Sequence, residues 1–103
     1  MRENKYQAYL IDELERMLPG CLVLKNDTSY IQGIPDLLVL YEDKWAMLEV
    51  KVSPVSAVQP NQEYYIDMLD SMSFAAFIYP ENEREVLNAL QRSFKSRRQT
   101  RVS

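Results

Sequence analysis

The sequence predicts an α/β fold, a mixed four-stranded sheet flanked by helices, with elements in the order αβββαβ and a closing helix. Three observations lead there. Apolar residues recur at helical spacing at the start of the chain, after residue 60 and after residue 81. Short apolar runs bounded by turn residues lie between them. Two of those runs, 36–41 and 44–52, are apolar at nearly every position, the pattern of strands covered on both faces, and helices supply such cover.

Residues 3–18 read as the first helix, with Tyr6, Leu10, Leu14, Met17 and Leu18 on one face and Pro19-Gly20 as the stop. Residues 21–25, Cys-Leu-Val-Leu-Lys, form a short apolar strand. A polar stretch from Asn26 to Tyr30 and the run Gly33-Ile34-Pro35 lead into the second strand, 36–41. Glu42-Asp43 makes the turn into the third, 44–52. A loop with Pro54 and Pro60 follows, and Pro60 suits the first turn of a helix over 60–72. Residues 73–79 form a fourth strand that Pro80 stops, and 81–95 form a last helix with Val86, Leu87, Leu90 and Phe94 inward. The expected organisation is one domain over 1–95 and a frayed basic tail over 96–103.

Composition removes several chemistries. Among 103 residues there is no histidine, which excludes Ser-His-Asp triads and histidine bases. One cysteine, Cys21, gives neither an intrachain disulfide nor an ordinary zinc site; in an apolar strand it reads as a buried hydrophobe and suits a reducing cytoplasm. Two glycines make no phosphate-cradling loop. No apolar run approaches membrane-spanning length, and the charged start leads into a polar helix rather than a leader core. Chemistry in this chain must therefore use carboxylates, lysine and a hard metal ion.

The net charge of −3 hides an asymmetry. Residues 1–85 carry all 15 acidic side chains and 7 basic ones, whereas 86–103 carry 5 basic side chains, Arg92, Lys95, Arg97, Arg98 and Arg101, and no acidic one. Such a cluster is either a solvated terminus or a phosphate contact; Lys95, Arg97, Arg98 and Arg101 are the candidate nucleic-acid-binding residues.

The chemistry-bearing feature is Asp36 followed by Glu49-Val50-Lys51. If Glu42 and Asp43 are a two-residue loop, Tyr41 pairs with Lys44, and counting back sets Leu38 opposite Met47 and Asp36 opposite Glu49. A four-residue loop gives the same register; a three-residue loop does not, and Glu-Asp is not a favoured hairpin dipeptide. In this register two carboxylates face each other with Cβ atoms about 4.5–5.5 Å apart, a destabilising pair unless positive charge joins it. Lys51 projects to the same face. A divalent cation would complete the neutralisation, with the Val50 carbonyl as a further oxygen donor. An E-x-K in a strand is ordinarily an exposed ion pair of little consequence, but here its neighbours are Trp45, Met47, Leu48 and Val50.

Gly33-Ile34-Pro35-Asp36 followed by Glu49-Val50-Lys51 resembles the PD-(D/E)XK nuclease signature, and the element order resembles the restriction-endonuclease-like αβββαβ core of that superfamily. The likeness is strongest to VRR-NUC-type and small phage endonucleases, through Gly-Ile-Pro-Asp-Leu-Leu, the Leu-Glu-Val-Lys strand and Gln59-Pro60-Asn61-Gln62, and it spans residues 3–90. The resemblance implies that Asp36 and Glu49 bind Mg²⁺ or Mn²⁺ and that Lys51 is catalytic. It assigns Gln62 to the glutamine that opens the helix after the motif, and Glu3 to the acidic residue of the first helix, with Glu13 as competitor. It further implies a metal-dependent DNA endonuclease acting on branched or structured DNA in the manner of a Holliday-junction resolvase, as a homodimer in the cytoplasm, or in the host cytoplasm if phage-encoded. A nickase or single-strand nuclease of the same fold, a catalytically silent DNA-binding module and an interaction protein without a nucleic-acid partner are the alternatives.

Overall fold

The computed structural model describes residues 2–100, with side chains described for residues 2–95. It contains α1 (Glu3–Met17), β1 (Leu22–Lys25), β2 (Leu37–Tyr41), β3 (Lys44–Val50), α2 (Pro60–Met72), β4 (Ala75–Ile78) and α3 (Glu83–Thr100). The strands form one sheet in the order β1-β2-β3-β4. β1, β2 and β3 are an antiparallel meander, and β4 returns parallel to β3 after the α2 crossover. This is the α/β arrangement that the sequence predicts.

The alternation of side chains divides the sheet between two cores. Leu37 and Val39 of β2 and Ala46, Leu48 and Val50 of β3 are fully buried against α1 and α3, which bring Tyr6, Leu10 and Leu14 and Val86, Leu87 and Leu90 to the same layer. On the opposite face a smaller cluster centres on Ile66 and Leu69 of α2 and Ala75 of β4, with Trp45, Met47 and Tyr65 packed around it. The hydroxyls of Tyr6 and Tyr9 each donate 2.9 Å hydrogen bonds to the two oxygens of Glu83, fastening α1 to the start of α3. No described helix is long and apolar enough to cross a membrane.

The β2–β3 turn is the two-residue loop, with Tyr41 paired to Lys44 and Leu38 to Met47. Glu42 takes a left-handed φ of +57°. Lys44 compensates for the unfavoured dipeptide: its ammonium bridges Glu42 at 2.9 Å and Asp43 at 3.0 Å while lying over the Tyr41 ring.

Three expectations need correction. The sheet is not covered on both faces throughout, because α2 reaches only β3 and β4; Leu40 is 36% exposed, and Leu22 and Leu24 of β1 more so. The last helix does not stop at residue 95. It runs from Glu83 to Thr100, and 96–100 hold no glycine or proline to end it. Cys21 is half-buried rather than buried, with its thiol directed to the Leu14 carbonyl at 3.7 Å.

Gly33 fixes how the loop before β2 meets α2. It has φ +93°, and a Cβ there would lie 2.8 Å from Asn61 backbone and side-chain atoms. Gly20 has φ +91° but no atom within 4 Å of its missing Cβ. Gly33→Ala is therefore expected to cost more than about 2 kcal/mol, from backbone strain plus the clash, and Gly20→Ala about 1 kcal/mol from strain alone. Urea unfolding of both variants checks the order, and equal losses would contradict the close approach at Gly33.

Candidate active site

The site forms where β2 begins and β3 ends, on the face that carries α2. Continuing the ladder one step past Leu37 and Leu48 sets Asp36 opposite Glu49. Asn26 holds that step in place. Its backbone N–H donates to the Asp36 carbonyl at 2.8 Å, and its side-chain amide donates to the Pro35 carbonyl at 2.8 Å. The Asp36 carboxylate accepts a 2.9 Å bond from the Val50 N–H.

Glu49 is only 4% exposed and Lys51 9%. The Lys51 ammonium donates to the Ala57 carbonyl at 2.9 Å and to Gln62 Oε1 at 3.1 Å, and lies 3.6 Å from Glu49 Oε2. Gln62 links these groups to the start of α2. Its Nε2 donates to Glu49 Oε2 at 3.1 Å, while its Oε1 also accepts the Gln59 N–H at 3.0 Å as one half of a capping box. Pro60 at the first helical position completes that start. The second oxygen of Glu49, Oε1, is buried with no hydrogen-bond partner. A buried carboxylate oxygen left unpaired is costly, and the nearby Asp36 carboxyl adds negative charge to the same site.

The electrostatics follow from this burial. Removal from water is the largest cause of the raised Asp36 pKa, offset by the Val50 N–H and Lys51. The Glu49 carboxyl is pushed up to about 7, first by burial, then by Asp36, with Lys51 pulling it down and Glu3 adding to the rise. Glu3 is itself raised, by burial and then by Asp36. One ammonium thus stands among three acidic groups. Oxygen donors in a negatively charged, partly dry setting suit Mg²⁺ or Mn²⁺ in kind, and the orphaned Oε1 of Glu49 is the atom that a cation would satisfy.

The structure brings Asp36, Glu49, Lys51 and Gln62 together. Val50 joins them through its backbone; within a strand the N–H and C=O of one residue point to the same neighbour, so its carbonyl is turned to the Asp36 side. Glu3 comes within electrostatic reach from the first turn of α1, but among the described residues no three acidic, histidine or cysteine side chains converge as a ligand set. Glu13 lies elsewhere, paired with Arg16 at 2.7 Å. The basic candidates are not gathered here. Lys95 lies beside Tyr41 and Lys44 at the other end of β3, about 17 Å away for five residues of strand. Arg97 and Arg98 follow it on α3, and Arg101 lies outside the described residues.

Two grooves without acidic side chains adjoin the site. One of about 390 Å³ is lined by Thr28, Gln32, Asn61 and Gln62, the other, of about 410 Å³, by Lys51, Ser53, Ser56 and Tyr79. Of these residues only Lys51 and Gln62 stand out in the sequence; Thr28, Gln32, Ser53 and Ser56, like Asn26, have no signal there beyond their place in polar loops. Comparison with protein-family models, curated proteins and solved structures found no match, so the chemistry must be read from these residues themselves.

A raised carboxyl pKa has a definite sign in stability. Unfolded, Glu49 titrates near 4.5; folded, near 7. Between these values the folded chain holds a proton that the unfolded chain has released, so stability should fall as pH rises from about 4.5 to 7. Asp36 and Glu3 act in the same direction. Urea midpoints in EDTA should be lower at neutral pH than near pH 5, and Glu49→Gln should flatten the slope. A midpoint that rises over this window in the unsubstituted chain would contradict the buried state of the Glu49 carboxyl.

Proposed function

We propose that this protein is a divalent-metal-dependent DNA endonuclease of the PD-(D/E)XK kind. The observation that supports it best is the pair of opposed carboxylates, half-buried Asp36 and buried Glu49, with Lys51 on the same face and one Glu49 oxygen unpartnered. Asp36 and Glu49 would hold Mg²⁺ or Mn²⁺, the Val50 carbonyl would add a third protein oxygen, and Glu3 would act through its charge or through an intervening water. When bound, the ion supplies a polarised phosphoryl oxygen and a water of lowered pKa.

The chain's own residues do the rest. Two of the three ammonium hydrogens of Lys51 are spent on Ala57 and Gln62. The third is left for the Glu49 side, where it would orient the attacking water or meet the charge developing on the phosphoryl group. Gln62 holds Glu49 and Lys51 at fixed separation and so acts on both. The adjoining grooves, which hold no acidic side chain, would take the strand on either side of the scissile bond. The positive stretch 86–103 would contact phosphates away from the cut, since Lys95 is remote from Glu49.

Branched or structured DNA is the proposed substrate, on the strength of the resemblance to VRR-NUC-type and small phage endonucleases. Symmetric cutting of a junction needs two sites, which a two-fold homodimer provides. The cytoplasm, of the cell or of a phage host, is the proposed location.

A labelled panel of four-way junction, flap, linear duplex and single strand, with Mg²⁺, Mn²⁺ or EDTA, tests this. Metal-dependent cutting is expected, strongest on the junction. Asp36→Ala and Glu49→Ala should reduce it to background, Lys51→Met by roughly 100- to 1,000-fold, and Gln62→Ala by roughly 10- to 100-fold. Cutting that survives Glu49→Ala would reject the site, and a folded chain that binds the panel without cutting it would be a silent binding module. Deleting residues 96–103 should weaken DNA binding and flatten its salt dependence; unchanged binding would make that segment a solvated terminus.

A further inference from the structure

The sheet face that carries the site is covered over only half its width. α2 packs on β3 and β4, and no described helix contacts β1 or β2 on that side. The register places two rows of apolar side chains there, Leu22–Leu40–Trp45 and Leu24–Leu38–Met47. Leu22 is 55% exposed, Leu24 41% and Leu40 36%. The flank of α2 that borders this shelf is equally bare. Tyr65 packs on the same small cluster as Ile34, which lies ahead of β2, and further along the same stripe come Met68, 36% exposed, and Met72, 58% exposed. An apolar shelf thus lies alongside an apolar ridge, and neither carries a charged side chain.

We infer that this face is the contact between two copies of the chain, related by a two-fold axis, with α2 of each copy laid over the β1–β2 shelf of the other. Each copy lacks one helix on this face and offers one, so the surface is complementary to itself, as an isologous contact requires. The exposed parts of these side chains present on the order of 600 Å² of apolar surface, at the upper end of what monomers show. That is the larger part of the roughly 800 Å² per partner in a standard interface, and the polar rim supplies the rest. β1 is also the sheet edge, and soluble proteins guard exposed edge strands with charge or proline; on this face β1 carries leucine at both positions. The inference names the contact for the homodimer proposed above, but it stands on the exposed face alone and not on the chemistry of the site.

Sedimentation velocity on the full chain, across roughly two decades of concentration into the tens of micromolar, tests it. The expected species has twice the 12.1 kDa chain mass. Leu24→Glu on the shelf and Met72→Glu on the ridge should each return it to the single-chain mass, weakening association at least about 100-fold by burying an unpaired charge. Both positions are exposed in the single chain, so the far-UV circular dichroism should be retained. A chain that stays monomeric at the highest concentration overturns the inference, as does a dimer indifferent to both substitutions. A dimer lost with Leu24→Glu but kept with Met72→Glu would mean edge-to-edge pairing of β1 and would overturn the ridge-on-shelf contact. A chain that forms this dimer with both sensitivities but cuts no DNA supports the contact and counts against the nuclease proposal alone.

Discussion

The two-residue turn at Glu42-Asp43 governs the site. A hairpin has a side-chain period of two, so one extra loop residue would turn every side chain of one strand to the opposite face. Asp36 would then leave Glu49, and Leu37 and Val39 would leave the core. The same register therefore buries the apolar layer and juxtaposes the two carboxylates, and the burial of several leucines and valines far outweighs the repulsion between one acidic pair. Lys44 makes the turn workable by bridging both loop carboxylates. The acidic pair is tolerated because the rest of the fold insists on it.

Around that constraint the chain supplies one local remedy after another. Asn26 extends the ladder past the end of β2, the Val50 N–H meets Asp36, and Gln62 meets Glu49 and Lys51 together. These bonds leave one Glu49 oxygen unmet, and they leave three acidic groups to a single ammonium. The imbalance is a property of the protein itself and lies in the direction that a cation corrects.

Much of this could be read in the sequence. Counting from the turn gives the Asp36–Glu49 register, the uninterrupted apolar runs give the buried strands, and the position of Gln62 in the first turn of α2 gives its approach to the sheet. Other features could not be read. Asn26 acts through backbone carbonyls, which any residue provides, so its role depends on where the loop folds. The choice between Glu3 and Glu13 turns on how α1 lies across the sheet. The half-bare sheet was illegible for a deeper reason: a leucine left exposed on a strand looks the same in sequence as one covered by a helix.

Gln62 belongs at once to the cap of a helix and to the polar cluster beside it. Helix starts are among the first places where a folded chain opens locally. Fraying of the first turn of α2 would withdraw one partner of Glu49, one of the partners of Lys51 and half of the capping box in a single event. The carboxylate–lysine pair and the helix start are thus one cooperative unit, and the pair's geometry can be no longer-lived than that turn of helix.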